Sequence, residues 1–185
     1  MEKLKVMVVF GTRPEAIKMA PLVLELQKHS DCIETITVVT AQHRQMLDQV
    51  LETFRIQPNY DLDIMGKNQS LLDITAKILQ KFDPIVKKEL PDMILVHGDT
   101  TTTFVASLVA FYNQVGIGHV EAGLRTFDKY SPFPEEMNRQ MTDNLADLYF
   151  APTTDSKANL LKENHPESAI VITGNTAIDA LKLTV

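Results

Sequence analysis

The chain has 185 residues, enough for one domain, with 44% apolar and 23% charged residues, 7 Gly and 9 Pro, which excludes disorder, collagen-like repeats and coiled coil. Lys plus Arg number 18 and Asp plus Glu 24, a net charge of −6 with no basic run, which argues against nucleic acid or an anionic membrane as a partner. The single cysteine, Cys32, excludes an internal disulfide and a Cys-rich metal cluster, and suits a reducing, cytoplasmic setting.

In chain order, the opening MEKLKVMVVF holds too short an apolar run for a secretory signal. Short β-branched runs then alternate with segments of helical spacing. Strands are predicted at Val6–Phe10, Thr35–Thr40, Met93–His97, Gly118–Glu121, Leu148–Ala151 and Ala169–Thr173. Helices are predicted at 14–29, 43–55, 70–89, 101–113, 136–146 and 155–163, with another starting near Asn175. Leu71, Ile74, Ile78, Phe82 and Ile85 form one apolar stripe, in a helix that Pro84 is expected to kink or split. The uncharged stretch Thr100–Val120 carries four threonines, Ser107, Asn113, Gln114 and His119, so it does not read as a membrane span. Strand–helix repetition predicts an α/β fold, a Rossmann-like, doubly wound parallel sheet with helices on both faces. Ligands of such sheets sit at the carboxyl ends of the strands, and four loops there carry chemistry.

In FGTRPE (10–15), a glycine leads into a helix, an arrangement that presents backbone N–H groups to phosphate. Neither GxGxxG nor GxxxxGK[ST] is present, so no dinucleotide or P-loop reading follows. Pro14 is placed at the first helical position with Arg13 just outside, and the Thr12/Glu15 capping-box spacing is discounted because a residue before proline disfavours helix. In HGDTTTT (97–103), Asp99 follows a strand, and is either a plain cap or a site carboxylate. In HVEAGLRT (119–126), Glu121 ends an apolar strand, where a carboxylate must be paired or have its pKa raised. In SPFPEEMNRQ (131–140), Glu135 and Glu136 open a helix whose dipole favours their ionised form. His97 with Asp99, and His119 with Glu121, form two His-x-acid pairs whose side chains can converge on a metal. No HExxH or Cys/His framework accompanies them, so no metal is assigned.

Taken together, GTRPEAIKMAPL (11–22), TAQHRQML (40–47), LVHGDTTTT (95–103), VEAGLRT (120–126), SPFPEEMNRQ (131–140) and GNTAIDAL (174–181) resemble the non-hydrolysing UDP-N-acetylglucosamine 2-epimerases of bacteria. The resemblance implies half of a GT-B two-domain fold. It assigns an N-terminal Rossmann-like domain to 1–174 and the start of an interdomain crossover to 175–185, with the C-terminal nucleotide-binding domain lying outside this chain. It implies interconversion of UDP-GlcNAc and UDP-ManNAc without a cofactor: the C2 proton is removed as UDP leaves C1, and UDP re-adds to 2-acetamidoglucal.

By motif match, Asp99, Glu121, Glu135 and Lys18 are the implied catalytic residues, and Arg13, Gly98, Thr100 and Arg125 the UDP- or substrate-binding ones. Gln42, Gln45 and Glu135 match an allosteric UDP-GlcNAc site, although Asn68 stands where an arginine is usual. An amide cannot replace a bidentate guanidinium. The implied partners are UDP-GlcNAc and UDP-ManNAc, the chain's own C-terminal domain and a second copy in a homodimer. The apolar faces of 70–89 and 101–113 serve either that contact or the sheet.

Overall fold

A computed structural model describes residues 3–41, 44–66 and 68–184, Arg44 in its backbone alone. Among these are strands β1 (Leu4–Phe10), β2 (Ile33–Val39), β3 (Tyr60–Asp61), β4 (Met93–His97), β5 (Gly116–Val120), β6 (Leu148–Ala151) and β7 (Ile170–Ile172). They form one parallel sheet in the order β3-β2-β1-β4-β5-β6-β7. The helices are α1 (Arg13–Lys28), α2 (Arg44–Phe54), α3 (Leu71–Glu89), α4 (Thr101–Tyr112), α5 (Glu135–Leu145), α6 (Thr154–Lys162) and α7 (Ala177–Thr184).

The continuous apolar runs bury both faces of the sheet, because alternate side chains of one strand feed opposite cores. Met7 and Val9 of β1 join Ile74, Ile78 and Phe82 of α3 and Val105 and Val109 of α4. Val6, Val8 and Phe10 join Ala16, Met19 and Val23 of α1 and Leu47 and Val50 of α2. The buried stripe of α3 therefore covers the sheet, as does that of α4. A smaller core of Ala122, Tyr149, Ala151 and Leu160 seats α6. The strand order reverses between β1 and β4, so their carboxyl ends diverge into a crevice. Both end in loops singled out above, 10–15 and 97–103.

Four expectations are corrected. Pro84 does not split α3, which runs unbroken from Leu71 to Glu89. The proline lies on the exposed face, so the carbonyl that lacks a donor one turn back faces water. The helix α1 begins at Arg13, one residue earlier than placed, because the Thr12 carbonyl already accepts the Ala16 N–H at 2.9 Å. The capping interaction discounted above exists: Glu15 Oε2 accepts the Gly11 and Thr12 amides at 3.1 and 2.7 Å. Finally, β5 stops at Val120 and leaves Glu121 beyond the strand, while β3, two residues at the sheet edge, carries too little periodicity to read.

Candidate active site

At the end of β1, Gly11 leaves no room for any side chain. A Cβ there would stand 2.0 Å from the Thr40 hydroxyl and 2.7 Å from that of Thr102, which bond to each other at 3.0 Å. The loop thus presses against the start of α4, and Glu15 fills the junction. Its carboxylate is buried and also accepts the Thr100 hydroxyl at 2.8 Å. Burial pushes its pKa up, against the opposing hydrogen bonds from Thr100, Thr12 and Gly11. An internal carboxyl group therefore occupies the amides leading into α1, where the sequence suggested an external phosphate. Arg13 is exposed and turned towards α2 and α7, lining a cavity of about 400 Å³ with Ile17, Val50 and Leu181.

The carboxylates gather beside this junction. Asp99, just past β4, is held by Arg139 of α5, whose Nη2 lies 2.6 Å from Oδ2, while Asn138 donates to its backbone carbonyl at 2.9 Å. Burial raises the Asp99 pKa, Arg139 opposes the rise, and the nearby charges of Glu135 and Glu121 add to it. Glu135 is the first residue of α5 and half-buried. Glu121 has φ +67°, a left-handed conformation that costs a non-glycine residue about 1 kcal/mol or more. That turn breaks the strand's alternation and carries its carboxylate to the α1 side. There Lys18 Nζ meets Oε1 at 2.5 Å and His97 Nε2 stands 3.3 Å from Oε2. His97 is buried without a well-aligned hydrogen bond; burial, then the Lys18 and His119 charges, press its pKa down to about 3.

The two His-x-acid pairs do not converge. His97 is registered with Val120 and His119 with Val96, which places the histidines on opposite faces of the sheet. His119 is fully buried, its ring nitrogens 2.5 Å from Asp143 Oδ1 and 2.7 Å from the Gly98 carbonyl. Among the described residues, no group of three or more His, Cys, Asp and Glu side chains is arranged to hold a metal ion.

Of the residues expected from sequence, Asp99, Glu121, Glu135, Lys18 and Gly98 come together. Thr100 lies alongside, its hydroxyl committed to Glu15 and to the Thr103 amide. Arg125 is a correction. Its guanidinium is wholly buried and spent on Asp143 at 2.7 Å and Glu163 at 2.6 and 2.7 Å, so it does not face the cluster. Gln45 is exposed near the start of α2 and Asn68 is exposed between β3 and α3, while Gln42 lies outside the described residues. Sequence reasoning gave no role to Arg139. Its i+4 spacing from Glu135 on a helix beginning with two glutamates was the available signal. Asp143 and Glu163 had no such signal, since their partners lie 18 to 38 residues away.

Comparison with known proteins follows the same lines. The model of the UDP-N-acetylglucosamine 2-epimerase family matches residues 24–185. A UDP-N-acetylglucosamine 2-epimerase of Bacillus subtilis is 64% identical over the whole chain, which covers 48% of that relative. The crystal structure of UDP-GlcNAc 2-epimerase from Neisseria meningitidis bound to UDP-GlcNAc superposes with a TM-score of 0.92 at 57% identity, over 97% of this chain and 49% of that one. A 37% identical structure from Methanocaldococcus jannaschii, in complex with UDP-GlcNAc and UDP, has a TM-score of 0.89 over 95% of this chain and 48% of that one. The chain thus spans about half the length of the curated relatives it matches. Family model, relatives and fold agree: the chain belongs to the UDP-N-acetylglucosamine 2-epimerase family.

Proposed function

We propose that this chain forms the N-terminal half of an enzyme interconverting UDP-GlcNAc and UDP-ManNAc. The observation that carries the reading is the convergence of Asp99, Glu121 and Glu135 with Lys18 and Arg139 at the sheet's switch point. Binding a nucleotide sugar needs no such set of carboxylates, whereas moving a proton at C2 needs an acid and a base. One carboxylate takes the C2 proton while the C1–O bond breaks and its electrons leave with UDP. Re-addition of UDP to the resulting 2-acetamidoglucal returns a proton to the opposite face of C2. Atoms and charge balance without an external oxidant or cofactor. The raised pKa of Asp99 favours a group that holds and releases a proton, and Lys18 grips Glu121 in one orientation.

The reading extends to the rest of the molecule. A second domain supplies the other wall of the cleft and most contacts to UDP, and the protein works in the cytoplasm as a homodimer, feeding cell-envelope polysaccharide. Gln45 and Glu135 support a regulatory UDP-GlcNAc site, which lacks a guanidinium at Asn68. The deciding experiment is proton NMR of UDP-GlcNAc with the complete protein in D2O. Loss of the C2 proton signal together with UDP-ManNAc resonances is expected. Release of free ManNAc would instead identify a hydrolysing enzyme, and an unchanged spectrum would overturn the proposal.

A further inference from the structure

Behind the carboxylates lies a buried charge network that the reaction does not touch. His119 on β5 faces the Gly98 carbonyl, 2.7 Å from Nε2, and Asp143 of α5, 2.5 Å from Nδ1. A carbonyl oxygen can only accept, so Nε2 must carry a proton. Asp143 Oδ2 already accepts from Arg125 at 2.7 Å and from the Gly123 amide at 3.3 Å, and against the opposing effect of burial the His119 and Arg125 contacts hold its carboxyl below the ordinary range, in the ionised form. With acceptors at both ring nitrogens, the ring needs both protons. Its positive charge pairs with Asp143, and Arg125 pairs with Asp143 and Glu163. Two cations and two anions thus offset one another, a requirement for charge this deep.

The network grips both loops that carry the site. Its His119 arm fixes the peptide immediately before Asp99, and its Asp143 and Arg125 arms fix the backbone two and three residues beyond Glu121, at the Gly123 amide and the Leu124 carbonyl. We propose that His119 is a doubly protonated positioning residue which, with Asp143, sets the separation of Asp99 and Glu121. Resting on the epimerase reading above, this assigns the pair a role in turnover without contact to substrate. The charged groups facing His119 are Asp143 on α5 and Arg125 behind it, with neutral His97 across the sheet.

The test combines spectroscopy and kinetics on the complete protein. In the unsubstituted protein, nitrogen-15 NMR of the histidine side chains should show both His119 nitrogens protonated in the native state. A neutral ring there overturns the proposal. His119→Gln retains a donor for Gly98 but no charge, and Asp143→Asn retains shape. In each, C2 proton exchange in D2O should slow about 10- to 100-fold at saturating UDP-GlcNAc, with KM little changed, because small misplacement of reacting groups is costly. A purely structural role predicts instead a fall in thermal midpoint with kcat of the folded fraction intact, and that result overturns the proposal. If either variant fails to fold, the nitrogen shifts of the unsubstituted protein still decide. Absence of exchange in the unsubstituted protein overturns the epimerase reading and the positioning role with it. Normal exchange there beside an unaffected His119→Gln overturns only the positioning role.

Discussion

At Glu121 a local cost and a functional placement coincide. The left-handed backbone is unfavourable for glutamate, and it persists because Lys18 and His97 receive the carboxylate it delivers. Neutralising the acids tests that placement directly: Asp99→Asn and Glu121→Gln should each lower the epimerisation rate by about 10²- to 10⁴-fold, measured by C2 exchange at saturating substrate. His97 makes a different prediction, on stability. Its native pKa is about 3, below the ordinary histidine value of 6.5. Between those values the unfolded chain binds a proton that the native protein refuses. The associated stability is complete above 6.5 and declines as pH falls towards 3. In His97→Asn that decline should be shallower by about 1 kcal/mol per pH unit, read from urea unfolding at about pH 7 and about pH 5.

The elements owe their order to a few close approaches and one tolerated irregularity. Gly123 has φ +84°, and a Cβ there would lie 2.3 Å from the Ser156 carbonyl oxygen in α6. Gly123→Ala should therefore cost about 2–4 kcal/mol in chemical denaturation, combining backbone strain with a clash against backbone. Pro84 is the reverse case. It removes a helical hydrogen bond from α3 on an exposed face, where alanine meets no neighbour. Pro84→Ala should stabilise the protein by about 1–3 kcal/mol, visible as a raised denaturation midpoint. Pro84 was legible as a breaker in the sequence, whereas Gly123 stood out there only as part of a loop string. Only packing told which break the fold requires and which it merely absorbs.

Across the whole molecule, the two faces of the sheet are covered unequally. On the α1 side, α7 crosses towards α1 and leaves a cavity of about 900 Å³ floored by Leu95, Val120 and Phe150. If the function proposed above holds, the 185-residue chain alone should epimerise UDP-GlcNAc weakly or not at all in D2O, while the complete protein turns over. Comparable rates from both would show that Asp99, Glu121 and Glu135 suffice without a second wall.

Sequence by itself determined the architecture and named most of the charged side chains that the structure brings together. Period-two and helical spacing are local, and a strand buried on both faces announces itself by an unbroken apolar run, as in Val6–Phe10. The rule that ligands sit at the carboxyl ends of strands directed attention to Asp99 and Glu121, and the acidic opening of a helix to Glu135 and Glu136, while the family's strings added Lys18 and chose Glu135 of that pair. The tertiary structure decided what each charged group faces. Arg125 turned out to be committed to Asp143 and Glu163, Glu15 to the amides offered to a phosphate, and His97 and His119 to opposite faces of one sheet. Partners separated by tens of residues are chosen by how the elements pack, and no local pattern records that choice. A buried charge is stable only where such a partner arrives, so the roles of these residues belong to the fold.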